Sequence, residues 1–432
     1  MIEPGLTGSR PYESAFSPVL KLFEVHVSPI IFLLALSLTF VGGSISAEST
    51  DFPEPLGEAA VLGPTEPHWV WVTDIVFRHS QLFDADNGSA LATVDHALGS
   101  FPKPPIFSES RNEYYVVEAR NEWGHRGKRT DFVTVYDAKT MSAKGQIIIP
   151  TQAAESAANL AYSALLDNNR NLALYNQFPS QSVSIVDLET RTFLDSIPTG
   201  GCAGIYATGP QSFATLCGDG SMQHFTFDSE GITTASDSTG PFFDAVQDPV
   251  MMNGARIGKR WVFVSFAGVI HEVDFDQSPP STRSWPGVSE AERQEGWRPG
   301  GRQLTAVHRD LERLYVVFHQ GGSGTHKDPG LEVWVFDLTS RQRASRFAVP
   351  NLDAASLAGM LQMDGGFSGW LLQQIVPATG ADTVAVTQDT APLLLLRNSQ
   401  LPVIAVLDAQ SGAHLRNISE IGITGNRLVV PR

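Results

Sequence analysis

An apolar run that ends in an aspartate and then turns recurs seven times along the chain, and a repeat of that length leaves few folds open. Val133–Asp137, Val183–Asp187, Val333–Asp337 and Val403–Asp408 are the clearest copies, and weaker ones end at Asp84, Asp228 and Asp274. Successive aspartates lie 41 to 71 residues apart and lead into small, polar or glycine-containing connections such as Asp86–Gly88 and Gln410–Gly412. Runs rich in Val, Ile and aromatics favour strands. A period of one small sheet is the mark of a β-propeller. The expectation is an all-β chain, with a seven-bladed β-propeller over residues 69–432, a linker over 48–68 and an N-terminal signal segment over 1–47.

Composition narrows the partners. The formal net charge of −16 opposes a nucleic-acid backbone, which needs clustered Lys and Arg, and the densest basic stretch is His125–Arg129. The long apolar run Ile30–Val41 has twelve residues, well short of the roughly 20 that span a bilayer. It reads as the core of a secretory signal cleaved after Ala47, with a retained anchor as the alternative because the preceding segment is long and weakly charged. Cleavage there leaves 385 residues, about 55 for each of seven blades.

The two cysteines, Cys202 and Cys217, are an even pair in an exported chain, which favours a disulfide over two buried thiols. The residues between them read as strand, Gly-Pro turn and strand. A bridge would pin one hairpin and contribute about 3 kcal/mol in the chain-entropy picture.

Common catalytic signatures are missing from the sequence: a glycine-rich phosphate loop, a nucleophile elbow, a His-Glu-x-x-His zinc helix and a haem-attachment motif. No catalytic residue and no metal is therefore assigned to this chain. His319 and His326 are the closest histidine pair in a glycine-rich loop, where hydrogen bonding competes with a metal role that normally needs three or four ligands. Arg126, Lys128 and Arg129 form a basic turn that is either solvated and salt-bridged or a subunit-docking element. Trp297 is either a blade-packing aromatic or an interface anchor. Ser289 is placed to cap a short acidic helix before Glu295.

Four strings in order carry a resemblance. Arg126–Asp131 leads into Val133–Asp137. Cys202 is followed by Cys217–Gly220. Glu290–Arg293 precedes Gly296–Gly301, and Gly324–Lys327 precedes Glu332–Asp337. Over about Trp69 to Ser345, with the repeat at Asp408 also fitting, the chain resembles the heavy (large) subunit of the tryptophan tryptophylquinone amine dehydrogenases. The resemblance implies a periplasmic α2β2 assembly with a small, cysteine-rich subunit. It places the quinone on two tryptophans of that subunit, so that none is bound by this chain. It implies oxidation of a primary amine to aldehyde and ammonia, with electrons passed to a blue copper protein. Asp74–Phe77 matches a family segment whose phenylalanine lines the substrate channel, so the resemblance assigns Phe77 that role, against ordinary strand packing. It makes Arg126, Lys128, Arg129 and Trp297 candidate interface residues. Val76–His79, Cys217–Gly220 and Gly324–Lys327 look more like the aromatic amine branch than the methylamine branch. Residues 351–390 depart from the family pattern and are expected to hold an insertion.

Two other functions fit the same repeat: an exported propeller that binds a partner without redox chemistry, and a hydrolase with calcium in its central channel. A small cysteine-rich partner chain discriminates the first from the amine dehydrogenase. An inward-facing acidic ligand set would mark the hydrolase.

Overall fold

The computed structural model describes residues 61–99, 101–153, 159–176, 179–363, 366–419, 421–422 and 425–431. The expected signal segment and residues 48–60 of the expected linker lie outside the described residues. Among the described residues the strands form seven antiparallel sheets, six of four strands and one of five. Blade 2 runs Ile106–Ser108, Glu113–Asn121, Arg129–Asp137 and Ala143–Ile149, each strand beside the next. Blades 3 to 7 repeat that up-and-down order. In blade 6 the first position is shared by Trp297–Pro299 and Thr305–His308, both paired with Arg313–Gln320. Blade 1 is composite. Its first strand, Gly425–Val429, comes from the C-terminal end and pairs with Trp69–Asp74, which closes the ring.

All seven recurring aspartates stand at or just after the end of a third strand, and their carboxylates explain the repeat. The amides of Asp86, Lys139, Glu189, Glu230, Asp276 and Gln410 donate to the carboxylate two residues earlier, at 2.8–3.1 Å. In the remaining copy the amide of Ser340 donates to Asp337 at 2.7 Å. The side chain thereby satisfies the first backbone donors beyond the strand and bends the chain toward the fourth strand.

The strands read as continuous apolar runs because the second and third strands of each blade are covered on both faces. In Glu113–Asn121, Tyr114 and Val116 pack on Trp71 and Leu82 of blade 1. Their neighbours Tyr115 and Val117 point the other way, onto Leu172, Leu174 and Val186 of blade 3. The same alternation puts Val70, Val72 and Phe83 of blade 1 against Leu395, Ile404 and Val406 of blade 7. Each blade is thus a slab whose two apolar faces are buried only when both neighbours are present.

The Cys202–Cys217 disulfide is formed and joins the first two strands of blade 4, where the two residues face each other across the hairpin. Ser289 caps the Glu290–Gln294 helix, with Glu292 completing a capping box. Within 351–390 the extra chain is a helical pair, Leu352–Met360 and Phe367–Ile375, lying between the last strand of blade 6 and the first of blade 7. Asn351 accepts from the amide of Ala354 and donates to the carbonyl of Val376, so one side chain starts the first helix and ties down the end of the second. Blade 7 itself is regular, beginning at Thr383–Val386. No helix among the described residues is long and apolar enough to cross a membrane.

Candidate substrate-facing site and docking surface

Phe77 sits in the turn between Trp69–Asp74 and His79–Asp84, the second and third strands of blade 1. It is 60% exposed, with Val76 beside it at 63%, so the turn carries an apolar surface rather than core packing. Several contacts fix its shape. Asp74 accepts from the amides of Val76 and Phe77, both at 2.8 Å, and Arg78 takes φ of 60° to complete the turn. The amide of His96 donates to the Arg78 carbonyl, and the Arg78 guanidinium donates to the carbonyl of Ala97. The Phe77 ring stacks on His79 at 6.3 Å between centroids. Gly422 passes so close that a Cβ there would lie 2.8 Å from the Asp74 carboxylate, and its φ of +67° suits glycine. The C-terminal approach and the Phe77 turn therefore brace each other.

Beneath the turn, Thr73, Ser80 and His96 form a buried hydrogen-bonded line, 2.8 Å at each step. Burial, with Arg78 and His79 adding to it, pushes His96 down to about 4, so the imidazole stays neutral at physiological pH. Glu118 closes the other side. It accepts from the amide of Ala97 and the hydroxyl of Thr134, and burial raises its carboxyl against those bonds. These bonds tie the turn at both ends, and the surface that Val76 and Phe77 present is apolar.

The basic turn lies at the same end of the propeller, because it too joins a second strand to a third, in blade 2. Trp123 is 75% exposed at its tip and Arg126 and Lys128 are exposed beside it. Gly127, at φ +87°, packs on Glu122, where a Cβ would meet the side chain at 2.9 Å. Arg129 differs from its neighbours: it is paired with buried Asp131 at 2.6 Å, which holds the base of the hairpin. Trp297 is half-buried against Trp334 at 5.5 Å, with Arg346 stacked over its ring at 4.7 Å. Both of these ring contacts lie within blade 6. His319 accepts or donates to Thr325 at 2.8 Å, while His326 packs edge-on to Phe266. Among the described residues no group of three or more His, Cys, Asp or Glu is arranged to hold a metal ion.

Sequence reasoning did not find Trp123, since a lone tryptophan in a polar stretch carries no local signal. The length of its hairpin does: its strands run nine residues each, against six for the corresponding pair in blade 1.

The methylamine dehydrogenase heavy chain (MADH) family matches residues 75–359, a span that begins at the Phe77 turn and takes in the basic hairpin, the disulfide and blade 6. This chain belongs to that family. Among its relatives, the methylamine dehydrogenase heavy chain of Paracoccus versutus is 28% identical over 347 residues, 79% of this chain and 73% of the relative. The heavy chain of Methylophilus methylotrophus is 27% identical over 421 residues, 96% of this chain and 95% of the relative. Among solved structures, a dihydro-heme d1 dehydrogenase in complex with DHE superposes with a TM-score of 0.50 at 15% identity, covering 88% of this heavy chain and 79% of that one. That likeness shows the propeller fold. Family membership makes this heavy chain part of an amine dehydrogenase oxidoreductase and implies a small-subunit partner.

Proposed function

We propose that the chain is the large subunit of a periplasmic amine dehydrogenase that converts a primary amine to an aldehyde and ammonia, scaffolds a small quinone-bearing subunit and walls its substrate channel with Phe77. The observation that carries this reading is the exposed, braced Phe77 turn inside the family-matched span. An aromatic ring that stays outside the core while its backbone is fixed at both ends is suited to a pocket completed by another chain. Trp123, Arg126 and Lys128, exposed at the same end, extend the surface on which that chain would sit.

The tryptophan tryptophylquinone, held by the partner in this reading, supplies the electron sink for the oxidation. Trp334 is stacked on Phe318 under Arg343 and Arg346, and Trp297 packs against Trp334 under Arg346, which supports a structural role for both and a quinone on the partner. What this chain's residues supply is orientation and exclusion of water: Val76 and Phe77 present carbon to the substrate, and Asp74 keeps them in place. The disulfide supports an oxidising compartment. A blue copper protein as electron acceptor, an α2β2 assembly and an aromatic amine as substrate complete the proposal.

Co-expression with a neighbouring small cysteine-rich chain is expected to give a quinone absorbance and amine-dependent dye reduction. In that complex Phe77→Ala should change the ratio of kcat/KM for an aromatic amine over methylamine by about tenfold, since a pocket wall discriminates at about 1–3 kcal/mol per methylene. A matured complex without amine-dependent dye reduction would sink the reading. An unchanged ratio would remove Phe77 from the channel.

A further inference from the structure

The Phe77 turn is braced by His96 and Ala97, which follow the last strand of blade 1, and from the opposite direction by the chain at Ile421 and Gly422. Ile421 is buried in the seam between blades 1 and 7, which anchors that segment beside the turn. The backbone of Gly422 is held by Arg397.

Arg397 ends the second strand of blade 7, Leu393–Arg397, at the same end of the ring as Phe77. Thr383 faces it on one side and Ile404 on the other, so its backbone is fixed inside the sheet. The side chain is fully buried, and Nη2 donates to the Gly422 carbonyl at 2.7 Å. Burial pushes the guanidinium down to about 10 while the carboxylates of Asp382 and Asp74 pull it back up, so it keeps its charge near neutrality. Asp382 precedes the first strand of blade 7 and Asp74 ends the second strand of blade 1. The charge therefore stands where the two blades meet.

Asp74 is buried as well, and its two oxygens face different neighbours. Oδ1 accepts from the amides of Val76 and Phe77, and Oδ2 lies under Gly422, where even a Cβ would come within 2.8 Å. The terminal torsion of an aspartate is broad, so packing decides which way the carboxylate faces. With Gly422 seated on Oδ2, the group has no room to swing away from the two amides. A single line of contacts thus runs from the guanidinium through the Gly422 carbonyl and the Asp74 carboxylate to the Phe77 backbone. A buried ion is often no more stabilising than an apolar side chain of its size. What the guanidinium adds here is a fixed direction for a hydrogen bond.

We propose that Arg397 is a positioning residue for the substrate wall, holding Gly422 over Asp74 and thereby setting the direction of Phe77. The inference rests on the reading that Phe77 walls the substrate channel, and it adds a determinant of amine selectivity buried in another blade.

Two measurements test it, one on the full chain and one on the matured complex. In the full chain, Arg397→Met keeps much of the buried volume and removes the donor. Amide exchange over Asp74–His79 should rise at least about tenfold, while exchange over Phe213–Cys217 in blade 4 stays at the parent rate. In the complex, Arg397→Met should shift the ratio of kcat/KM for an aromatic amine over methylamine by about three- to tenfold, in the direction of Phe77→Ala and chiefly through KM. In a Phe77→Ala background the same substitution should leave the ratio where Phe77→Ala alone puts it, a non-additivity that general loosening of the ring does not produce. Gly422→Ala keeps the buried charge and presses a Cβ onto Asp74, so it should reproduce both effects if Arg397→Met does not fold. Parent exchange at the turn, or an equal rise in blade 4, overturns the inference. A ratio moved by Phe77→Ala but not by Arg397→Met overturns it while leaving Phe77 in the channel. A ratio that Phe77→Ala does not move overturns the channel reading and this inference with it.

Discussion

Lys103 is 1% exposed, and its ammonium donates to the carbonyl of Ala153 at 2.9 Å. Burial, with Arg129 adding and Asp131 opposing, pushes it down to about 7. An unfolded lysine keeps its proton to about 10.5. Between those values the unfolded chain binds more protons than the folded one, so this group makes stability rise with pH from about 7 to about 10.5. Lys103→Met should flatten that rise and stabilise the protein near neutral pH by about 1–4 kcal/mol, as replacement of a buried charge by an apolar chain often does. Urea unfolding midpoints at several pH values check it. An unchanged slope would show that the ammonium finds water or a partner. Asp337 has the opposite sign. The amide of Ser340, and then Arg313, hold its carboxyl down to about 2, below its usual 3.8. Its contribution is therefore present above about pH 3.8 and is lost as pH falls toward 2. Asp337→Asn should cost about 1 kcal/mol at neutral pH and shift less than the parent on acidification, read from the same midpoints. The aspartate copies were legible in sequence because each solves a local problem, closing a turn with its own side chain. Lys103 was not, because the carbonyl it meets, that of Ala153, lies 50 residues further along the chain.

Hairpins and helices show where local pattern suffices and where it stops. The Cys202–Cys217 bridge follows from strand–turn–strand spacing, since residues facing each other across an antiparallel hairpin are within reach. Replacing both cysteines by alanine should lower unfolding stability by about 2–4 kcal/mol without changing the sheet content seen by circular dichroism. No change in stability would mean that the hairpin is already fixed by its neighbours. The helical pair after blade 6 resisted reading for a physical reason. Phe367–Ile375 leaves Phe367, Trp370 and Ile375 exposed at 76%, 55% and 63%, so its apolar residues do not mark a buried face and its periodicity misleads. Asn351, which caps one helix and holds the other, was the one local signal present. Phe77 misleads in a similar way. After Ile75 and Val76 it reads as ordinary strand content, and only the register that ends the strand at Asp74 puts it outside.

At the scale of the whole molecule, closure of the ring is what no local pattern encodes. Arg302, Lys327 and Arg427 line one cavity, and nothing in the sequence around any one of them announces the other two. They converge because Gly425–Val429 returns to pair with Trp69–Asp74, placing Arg427 opposite Thr73 and Leu428 opposite Val72. Leu428 is 1% exposed and packs into the seam between blades 1 and 7, and the carbonyl of the same residue accepts from the buried amide of Gln303 at 2.8 Å. Removing the chain after Ser419 should therefore do more than delete one strand. It bares the edge of Trp69–Asp74, uncouples the two blades and opens the channel, and an exposed apolar edge invites pairing with a second chain. The truncated protein is expected to unfold at markedly lower denaturant and to associate in size-exclusion chromatography. The milder Leu428→Ala keeps the strand and should cost about 2–5 kcal/mol, with amide exchange rising first in blades 1 and 7. A truncated chain that stays monomeric with the parent unfolding midpoint would mean that six complete blades and an open seventh hold the ring without its closing strand.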